Sequence, residues 1–222
     1  MSSDPISTPA SSTMERPARL TREQSRAQTR ERILASAAIV FTREGYGGAS
    51  VDRIAEEAGY SKGALYSNFA SKDVLFLELV DVHSNSQVSE LCRLLDAVHT
   101  AEDIIATTCS WASGLQHEPD LRMLVLDMTR RVKGDPALSA RHARLFDEQW
   151  LAVGTRLLRI FPPATAATPA PVPPMVLGAL VMELTYGNAM QLHAELSAGD
   201  LIGVALRALY TAHGQPETKA TA

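Results

Sequence analysis

The stretch SVDRIAEEAGYSKGALYSNFASKDVLFLEL (residues 50–79) decides how this chain folds. It predicts two short helices and then a longer one, because a serine able to cap a helix precedes each of them and Gly59 separates the first two. Ile54, Leu65 and Phe69 are spaced so that they face one another in a small core. Two short helices joined by a tight glycine turn are typical of a helix-turn-helix unit.

The second of these short helices presents small polar and aromatic side chains outward, as a recognition helix in a DNA major groove requires. Gly63 would let the backbone approach DNA, and Tyr66 can reach a phosphate or a thymine methyl group. The serine caps lie where free amides favour phosphate oxygens, and the lysine that opens the next helix can reach a phosphate. The predicted DNA-binding residues are Ser50, Ser61, Lys62, Gly63, Ala64, Tyr66, Ser67, Asn68 and Lys72.

Spacing alone leaves a second hypothesis open, a helical adaptor that binds no DNA, because short capped helices are common in small helical proteins. Residues 50–79, however, closely resemble the signature of TetR-type regulators, roughly T-x-x-x-I-A-x-x-A-G-V-S-x-G-x-L-Y-x-H-F-x-S-K-x-x-L. Tyr60 and Asn68 depart from it, where Val and His are usual, which bears on the operator sequence. The matching residues are Ser50, Ile54, Ala55, Ala58, Gly59, Ser61, Gly63, Leu65, Tyr66, Phe69, Ser71, Lys72 and Leu75.

The resemblance implies a homodimer whose two recognition helices enter successive major grooves of a palindromic operator. It also implies a transcriptional regulator, with a ligand-responsive repressor as the expected form. The effector would be a small molecule, and no cofactor or metal is expected. The segment before residue 50, with Arg32-Ile33-Leu34 and then Phe41, fits the same family pattern.

The charge distribution suits a polyanion partner at one end of the chain only. The whole chain carries a net charge of −4, but the segment from Arg16 to Lys72 holds ten basic and six acidic residues. A basic head on an acidic body is the expected footprint of a DNA-binding unit. No run of eighteen apolar residues and no secretory signal occurs, so we expect a cytoplasmic protein with no membrane contact. Cys92 and Cys109 are then expected to be small buried hydrophobes, kept reduced rather than joined in a disulfide.

Helix punctuation along the rest of the chain predicts an all-α fold of about nine helices. Thr21 and Gln24 form a capping box, and Gly45 is expected to end the first helix. Near the C-terminus, Gly199 is expected to end one helix and Asp200 to cap the next. The predicted organisation is a disordered tail at 1–20, a three-helix DNA-binding domain at 21–80, a helical regulatory and dimerisation domain at 81–213 with a Pro-rich loop at 162–174, and a disordered tail at 214–222.

The segment Met175–Met190 is apolar nearly all round, which indicates a helix buried on every side. In a chain of this size we interpret it as packing against a second subunit, and the alternative is an internal core helix. Small residues such as Gly178 would permit close approach to the partner. The predicted interface residues are Ala179, Glu183, Gly187, Met190, Leu201 and Leu209.

The effector site is a weaker hypothesis, based on polar residues that interrupt apolar helix stripes. A mostly apolar pocket with few polar groups would have this pattern. The alternative is that the tryptophan belongs to the core and the others are solvated or paired at an interface. No metal-ligand spacing, nucleophile elbow or phosphate loop occurs, so we do not expect an enzyme. The candidate effector residues are Trp111, His142, Gln149 and Glu183.

Overall fold

The computed structural model describes residues 21–115, 119–165, 169–187 and 196–213, and this part of the chain contains nine α-helices and no strand. The all-α prediction is therefore confirmed. No described helix is both long and apolar enough to span a bilayer. The predicted tails at 1–20 and 214–222, and Met190, lie outside the described residues. The helices are α1 Arg22–Gly48, α2 Val51–Ala58, α3 Lys62–Asn68, α4 Lys72–Asp96, α5 Ala101–Gly114, α6 Pro119–Val132, α7 Pro136–Leu157, α8 Pro174–Gly187 and α9 Ala198–His213.

The predicted caps of the N-terminal helices are confirmed. Thr21 and Gln24 exchange both bonds of a capping box at the start of α1. A serine hydroxyl accepts a backbone amide at the first turn of α2, α3 and α4, from Ser50, Ser61 and Ser71 respectively. Gly59 ends α2 with φ 72° and ψ 29°, a left-handed conformation that glycine adopts without steric penalty.

Two predicted helix boundaries are wrong. Gly45 breaks the helical geometry, with φ 66° and ψ 171°, but a further turn follows and α1 runs on to Gly48. Gly199 does not end a helix, because it lies buried in the first turn of α9. The cap of α9 is Ser197, whose hydroxyl accepts the Asp200 amide while the Asp200 carboxylate accepts the Ser197 amide. Serine followed three residues later by an acid is the capping-box spacing.

The first four helices share one core, and α4 continues beyond it. Ile54, Leu65 and Phe69, predicted to face inward, are all at most 1% exposed. Phe41 and Phe76 pack with ring centroids 4.7 Å apart and join α1 to α4. The predicted domain boundary at residue 80 falls within α4, so a single rigid helix is shared by the N-terminal unit and the body.

Three contacts fix how α7 lies along α4. Arg141 is bound to Asp81, the Gln149 amide donates to the Asn85 side chain at 3.1 Å, and Arg156 is paired with Asp96 at 2.9 Å. Partner numbers rise together along both helices, so α4 and α7 run parallel. The body is thereby built directly onto the helix that leaves the N-terminal unit.

Glycines set the closest helix contact of the body. A Cβ at Gly154 of α7 would lie 1.7 Å from the Pro174 carbonyl oxygen, and one at Gly178 of α8 would lie 1.8 Å from the Trp150 carbonyl oxygen. The backbones of α7 and α8 therefore touch where both side chains are missing. The expectation that Gly178 serves close approach to a second subunit is wrong, because α7 of the same chain occupies that space.

Candidate nucleic-acid interface

The exposed face of α3 carries the predicted recognition residues. Lys62, Gly63, Tyr66 and Ser67 are exposed, and the Tyr66 side chain is 47% exposed although it is large and aromatic. Leu65 is fully buried and holds the helix from behind. This face offers a cation, a phenol and a hydroxyl on one rigid surface, which suits contact with phosphates and base edges.

Two arginines of α1 hold the C-terminal end of α3, and the sequence interpretation missed them. Arg26 donates to the Ser67 carbonyl at 3.3 Å, and Arg30 donates to the Asn68 carbonyl at 2.6 Å. Arg30 also lies 4.3 Å from the Phe69 ring centroid and is paired with Glu78. Terminal carbonyls of a helix have no intrahelical partner, so these bonds fix the angle of α3. The signal in the sequence was their spacing of four residues, which places both arginines on one face of α1.

Asn68 and Ala64 play a more internal part than predicted. The Asn68 amide donates to the Ala64 carbonyl at 2.8 Å, and the Ser67 hydroxyl donates to the same oxygen at 2.8 Å. The Asn68 side chain is therefore turned back onto α3 in this structure rather than presented outward. Lys62 is paired with Asp52 at 2.9 Å across the α2–α3 turn, with both side chains more than half exposed.

Lys72 is not free to act as a simple phosphate contact. Its ammonium donates to the carbonyls of Tyr46 and Ala49, and it lies 4.1 Å from the Tyr46 ring centroid. Burial, followed by the charge of Arg131, lowers the pKa of this ammonium. The prediction of an outward phosphate lysine is corrected: Lys72 first ties the start of α4 to the end of α1, next to the Ser50 cap.

A cluster of polar side chains connects the body to the same place. Arg131, in the last turn of α6, donates to Asp73 at 2.6 Å, and Tyr46 donates to the same carboxylate oxygen at 2.7 Å. The Arg131 guanidinium lies 4.0 Å from the Tyr46 ring centroid. We call Tyr46, Lys72, Asp73 and Arg131 the junction cluster. Three of its members, Tyr46, Asp73 and Arg131, line a cleft of about 560 Å³ between α1, α4 and the α6–α7 turn.

Electrostatics hold the junction cluster in one protonation state. Burial by itself would raise the pKa of Asp73, but the hydrogen bonds from Arg131 and Tyr46 outweigh it and the pKa is lowered. Burial, together with the bond to Asp73, raises the pKa of Tyr46 to about 12. The carboxylate is therefore ionised and the phenol neutral at pH 7. The stability contributed by ionised Asp73 is lost only as the pH falls through its depressed pKa.

Sequence comparison identifies this N-terminal unit. The pattern of the family described as "Bacterial regulatory proteins, tetR family" matches residues 33–79, which run from α1 into α4. Over residues 33–79 the chain therefore matches the TetR-type N-terminal domain. The resemblance predicted from residues 50–79 is thereby confirmed.

Individual relatives share this TetR-type domain and parts of the body. The chain is 30% identical over 117 residues to the transcriptional repressor AcnR of Corynebacterium jeikeium, covering 52% of this chain and 56% of that protein. It is 39% identical over 77 residues to the transcriptional activator FasR of Mycolicibacterium smegmatis, covering 35% of this chain and 33% of FasR. The chain thus spans less than two thirds of these relatives. Both are regulators, in agreement with the expectation that the chain is not an enzyme.

A solved structure extends the likeness to the whole fold. The crystal structure described as a putative TetR-family transcriptional regulator from Mesorhizobium loti superimposes with a TM-score of 0.65 at 18% identity. The match covers 88% of this chain and all of that one. The arrangement of a TetR-type domain followed by a helical body is therefore shared, while at this identity nothing further follows.

The structure separates the four candidate effector residues. Trp111, His142 and Gln149 are buried, with 8%, 7% and 3% exposure, whereas Glu183 is exposed on α8. Within the described part of the chain, the Trp111 Nε1, His142 Nδ1 and Gln149 Oε1 atoms are buried and have no hydrogen-bond partner. The prediction that Glu183 lines the same pocket is wrong, because its carboxylate faces away from the interior.

The predicted interface residues lie on the outer side of α8 and α9. Gly187 is exposed, with no atom within 4 Å of an added Cβ, while Ala179 and Leu201 are half-buried. Leu209 packs partly against the chain's own core. Within the single chain α8 is not buried on every side, since Val176 is 53% exposed, and packing of this helix against a second subunit stays a prediction. Val204 of α9, which the sequence interpretation missed, is 72% exposed.

Proposed function

We propose that the protein is a sequence-specific DNA-binding transcriptional regulator that acts in the cytoplasm, most simply as a repressor. The observation that carries this proposal is the exposed face of α3 on a TetR-type domain, held at a fixed angle by Arg26 and Arg30. The likeness to the repressor AcnR supports the repressor form, and the likeness to the activator FasR makes activation the outcome to test against it. Both cysteines are free thiols, as a reducing compartment requires.

We further propose that the regulator binds a palindromic operator as a homodimer. One helix-turn-helix unit contacts only a short stretch of DNA, and specificity comes from two half-sites held about one helical turn apart. A rigid interface must set that distance. The outer side of α8 and α9 supports this role, because it leaves Val176 and Val204 in water. Large apolar side chains that remain exposed on two packed helices are candidates for an association surface.

The third part of the proposal is that a small-molecule effector controls this geometry from the body. This proposal divides the chain into a DNA-binding unit over 21–80 and a regulatory body over 81–213. The helix α4 belongs to both. Because α4 is continuous, a ligand that favours one packing of the body moves the start of α4 and, through the junction cluster, the end of α1. An effector acts only through its different affinity for the two arrangements.

The recognition face is tested by single substitutions. We expect Tyr66→Ala and Lys62→Ala each to lower operator affinity by roughly fivefold or more at constant stability, because both side chains are exposed. Lys62→Ala is also expected to flatten the plot of log affinity against log salt by about one unit, as loss of a single phosphate contact does. Fluorescence anisotropy on the chain's own upstream region measures both quantities.

The matched control is Lys133→Ala, at an exposed position after α6. It removes the same charge from a position outside α2 and α3 and is expected to leave the affinity for the operator unchanged. Wild-type affinity and salt slope in both α3 variants would contradict the proposed face. Absence of any specific binding by the unaltered protein would favour the helical adaptor instead.

The junction cluster offers a second test, since Arg130 and Arg131 are neighbours with different contacts. Arg131 reaches Asp73 of α4, whereas among the described residues Arg130 pairs with Asp127 of its own helix alone and is 85% exposed. We expect Arg131→Ala to weaken operator binding by roughly fivefold, about 1 kcal/mol, because a partly exposed charged hydrogen bond contributes on that scale. Arg130→Ala is expected to have no effect. Equal behaviour of the two variants would rule out a positioning role for Arg131.

A further inference from the structure

A polar seam lies where α4, α6 and α7 meet, with Ser84, His142 and Gln149 buried and Asn85 and Thr129 exposed at its rim. We define the seam by Asp81, Ser84 and Asn85 on α4, Thr129 on α6, and His142 and Gln149 on α7. Two bonds cross it: Gln149 donates to Asn85 at 3.1 Å, and the His142 Nε2 atom lies 3.1 Å from the Thr129 hydroxyl. His142 and Gln149 are two turns apart on α7, about 10 Å along the helix axis.

The hydrogen-bond pattern determines which nitrogen of His142 carries the proton. The Thr129 hydroxyl has one hydrogen, which it donates to the Val125 carbonyl at 2.9 Å. It must therefore accept from the His142 Nε2–H group, so the neutral ring has a bare lone pair on Nδ1. Burial lowers the pKa of His142, which keeps the ring neutral at pH 7. The buried Nδ1 atom is thus an acceptor.

The other unpartnered atoms of the seam are mostly acceptors as well. Asp81 Oδ1 and Gln149 Oε1 are buried and have no donor among the described residues, and neither does the hydroxyl of Ser84, which is fully buried. The other Asp81 oxygen accepts from Arg141, so the nearest cation is already paired. Buried polar groups nearly always have a partner, so three acceptors in one seam indicate a donor that the described residues do not supply.

An aromatic wall borders these acceptors. Phe146 lies between His142 and Trp150 along α7, with ring centroids 4.6 Å and 6.2 Å away. Aromatic side chains in these tilted arrangements bind a flat apolar ring by offset or edge contacts. The seam therefore combines an apolar surface with acceptors spread over about two helical turns.

We infer that the effector binds in this seam and is an uncharged, largely apolar molecule that donates hydrogen bonds, such as a phenol or an aromatic alcohol. The inference rests on the proposed function, of which it specifies the ligand class. One unpartnered donor, the Trp150 Nε1–H group, borders the seam. A carboxylate or phosphate would nevertheless bring further acceptors to three atoms that already lack donors, and no residue of the seam offers it an unpaired cation. Anionic ligands are therefore disfavoured.

Three compounds of the same ring system test the donor requirement: 1-naphthol, 1-methoxynaphthalene and 1-naphthoate. At about ten times its dissociation constant, 1-naphthol is expected to raise the melting temperature of the full chain by about 3–6 °C. The methoxy compound has no donor, so its shift is expected to be at most half as large, and the anion is expected to give none. Equal shifts from all three, a larger shift from the anion, or no shift at saturation would overturn the inference.

The variant His142→Phe removes the acceptor but keeps the contact with Phe146. We expect it to reduce the 1-naphthol shift by at least half while the melting temperature of the free protein does not fall, because an unpartnered buried nitrogen is lost. Ser84→Ala is expected to leave the free protein equally stable. His99→Phe, at an exposed position, is the control and should preserve the shift. If His142→Phe melts several degrees lower and neither this variant nor the wild type responds to 1-naphthol, the inference is wrong. Structural water then supplies the hydrogen bonds of the seam.

Operator affinity of the same proteins distinguishes failure of the proposed ligand class from failure of the proposed DNA-binding function. A chain that binds its operator but ignores 1-naphthol contradicts the ligand class alone. A chain that binds 1-naphthol but no operator contradicts the proposed function and leaves the seam as a binding site. The expected result is operator binding that 1-naphthol weakens in the wild type and does not alter in His142→Phe.

Discussion

Val204→Arg is expected to convert the protein to monomers and to lower specific operator affinity on the order of a thousandfold, to the level of non-specific binding. Val204 is 72% exposed on α9, so the single chain accommodates an arginine in water without strain. Only a partner subunit covering this position would desolvate the new charge, and an unpaired buried charge costs several kcal/mol. The α3 face is untouched by the change. Light scattering and anisotropy on the same sample measure association and binding together.

Gly187→Arg tests the same surface on α8. Nothing lies within 4 Å of a Cβ at Gly187, so this variant too is expected to fold as a single chain and fail to dimerise. The control is Val82→Arg, because Val82 is 55% exposed and lies on α4, outside the proposed α8–α9 interface. If Val204→Arg and Gly187→Arg both remain dimeric and bind the operator normally, the interface lies elsewhere.

Gly178→Ala is expected to destabilise the chain by about 3 kcal/mol and to lower its melting temperature by about 6–12 °C. The added Cβ would lie 1.8 Å from the Trp150 carbonyl oxygen and 2.8 Å from the Trp150 Cα. These are backbone atoms of a helix, which cannot rotate away as a flexible side chain can. The helices α7 and α8 must therefore separate, which disturbs Val153, Leu177 and Val181 of the core.

Gly187→Ala on the same helix is the matched control. It adds the same methyl group where no described residue lies within 4 Å, and alanine restricts the unfolded chain more than glycine does. A neutral or slightly stabilising effect, below about 1 kcal/mol, is therefore expected. Differential scanning calorimetry compares the two variants, and similar melting temperatures would show that α7 and α8 do not touch at Gly178.

The local signals in the sequence were enough to place most helices. Capping serines, the Thr21–Gln24 box and Gly59 act within four or five residues, so their consequences can be predicted without knowing the fold. The same holds for the inward side chains of α2 and α3, whose spacing follows from helix periodicity alone. The start of α9 was mispredicted because Asp200 alone was taken as its cap. In the structure Ser197 and Asp200 form the cap together.

Side-chain partners distant in the sequence could not be predicted. Lys72 was expected to face DNA, but the carbonyls that hold it belong to residues 26 and 23 positions earlier. Arg131 meets Asp73 across 58 residues, and Arg30 meets Asn68 across 38. A charged side chain on a helix surface looks the same in the sequence whether water or another helix faces it.

The sequence by itself determined that the chain is helical, where its TetR-type domain lies and which side chains α3 exposes, because these depend on spacing within one or two helical turns. Tertiary structure alone decided that Gly178 faces α7, that Glu183 faces outward, and that His142 and Gln149 share a seam with Asp81. An apolar stripe predicts that one side of a helix is buried, but it does not indicate which neighbouring helix covers that side. That choice depends on the packing of whole helices, where a missing Cβ or a bond between distant residues selects one partner.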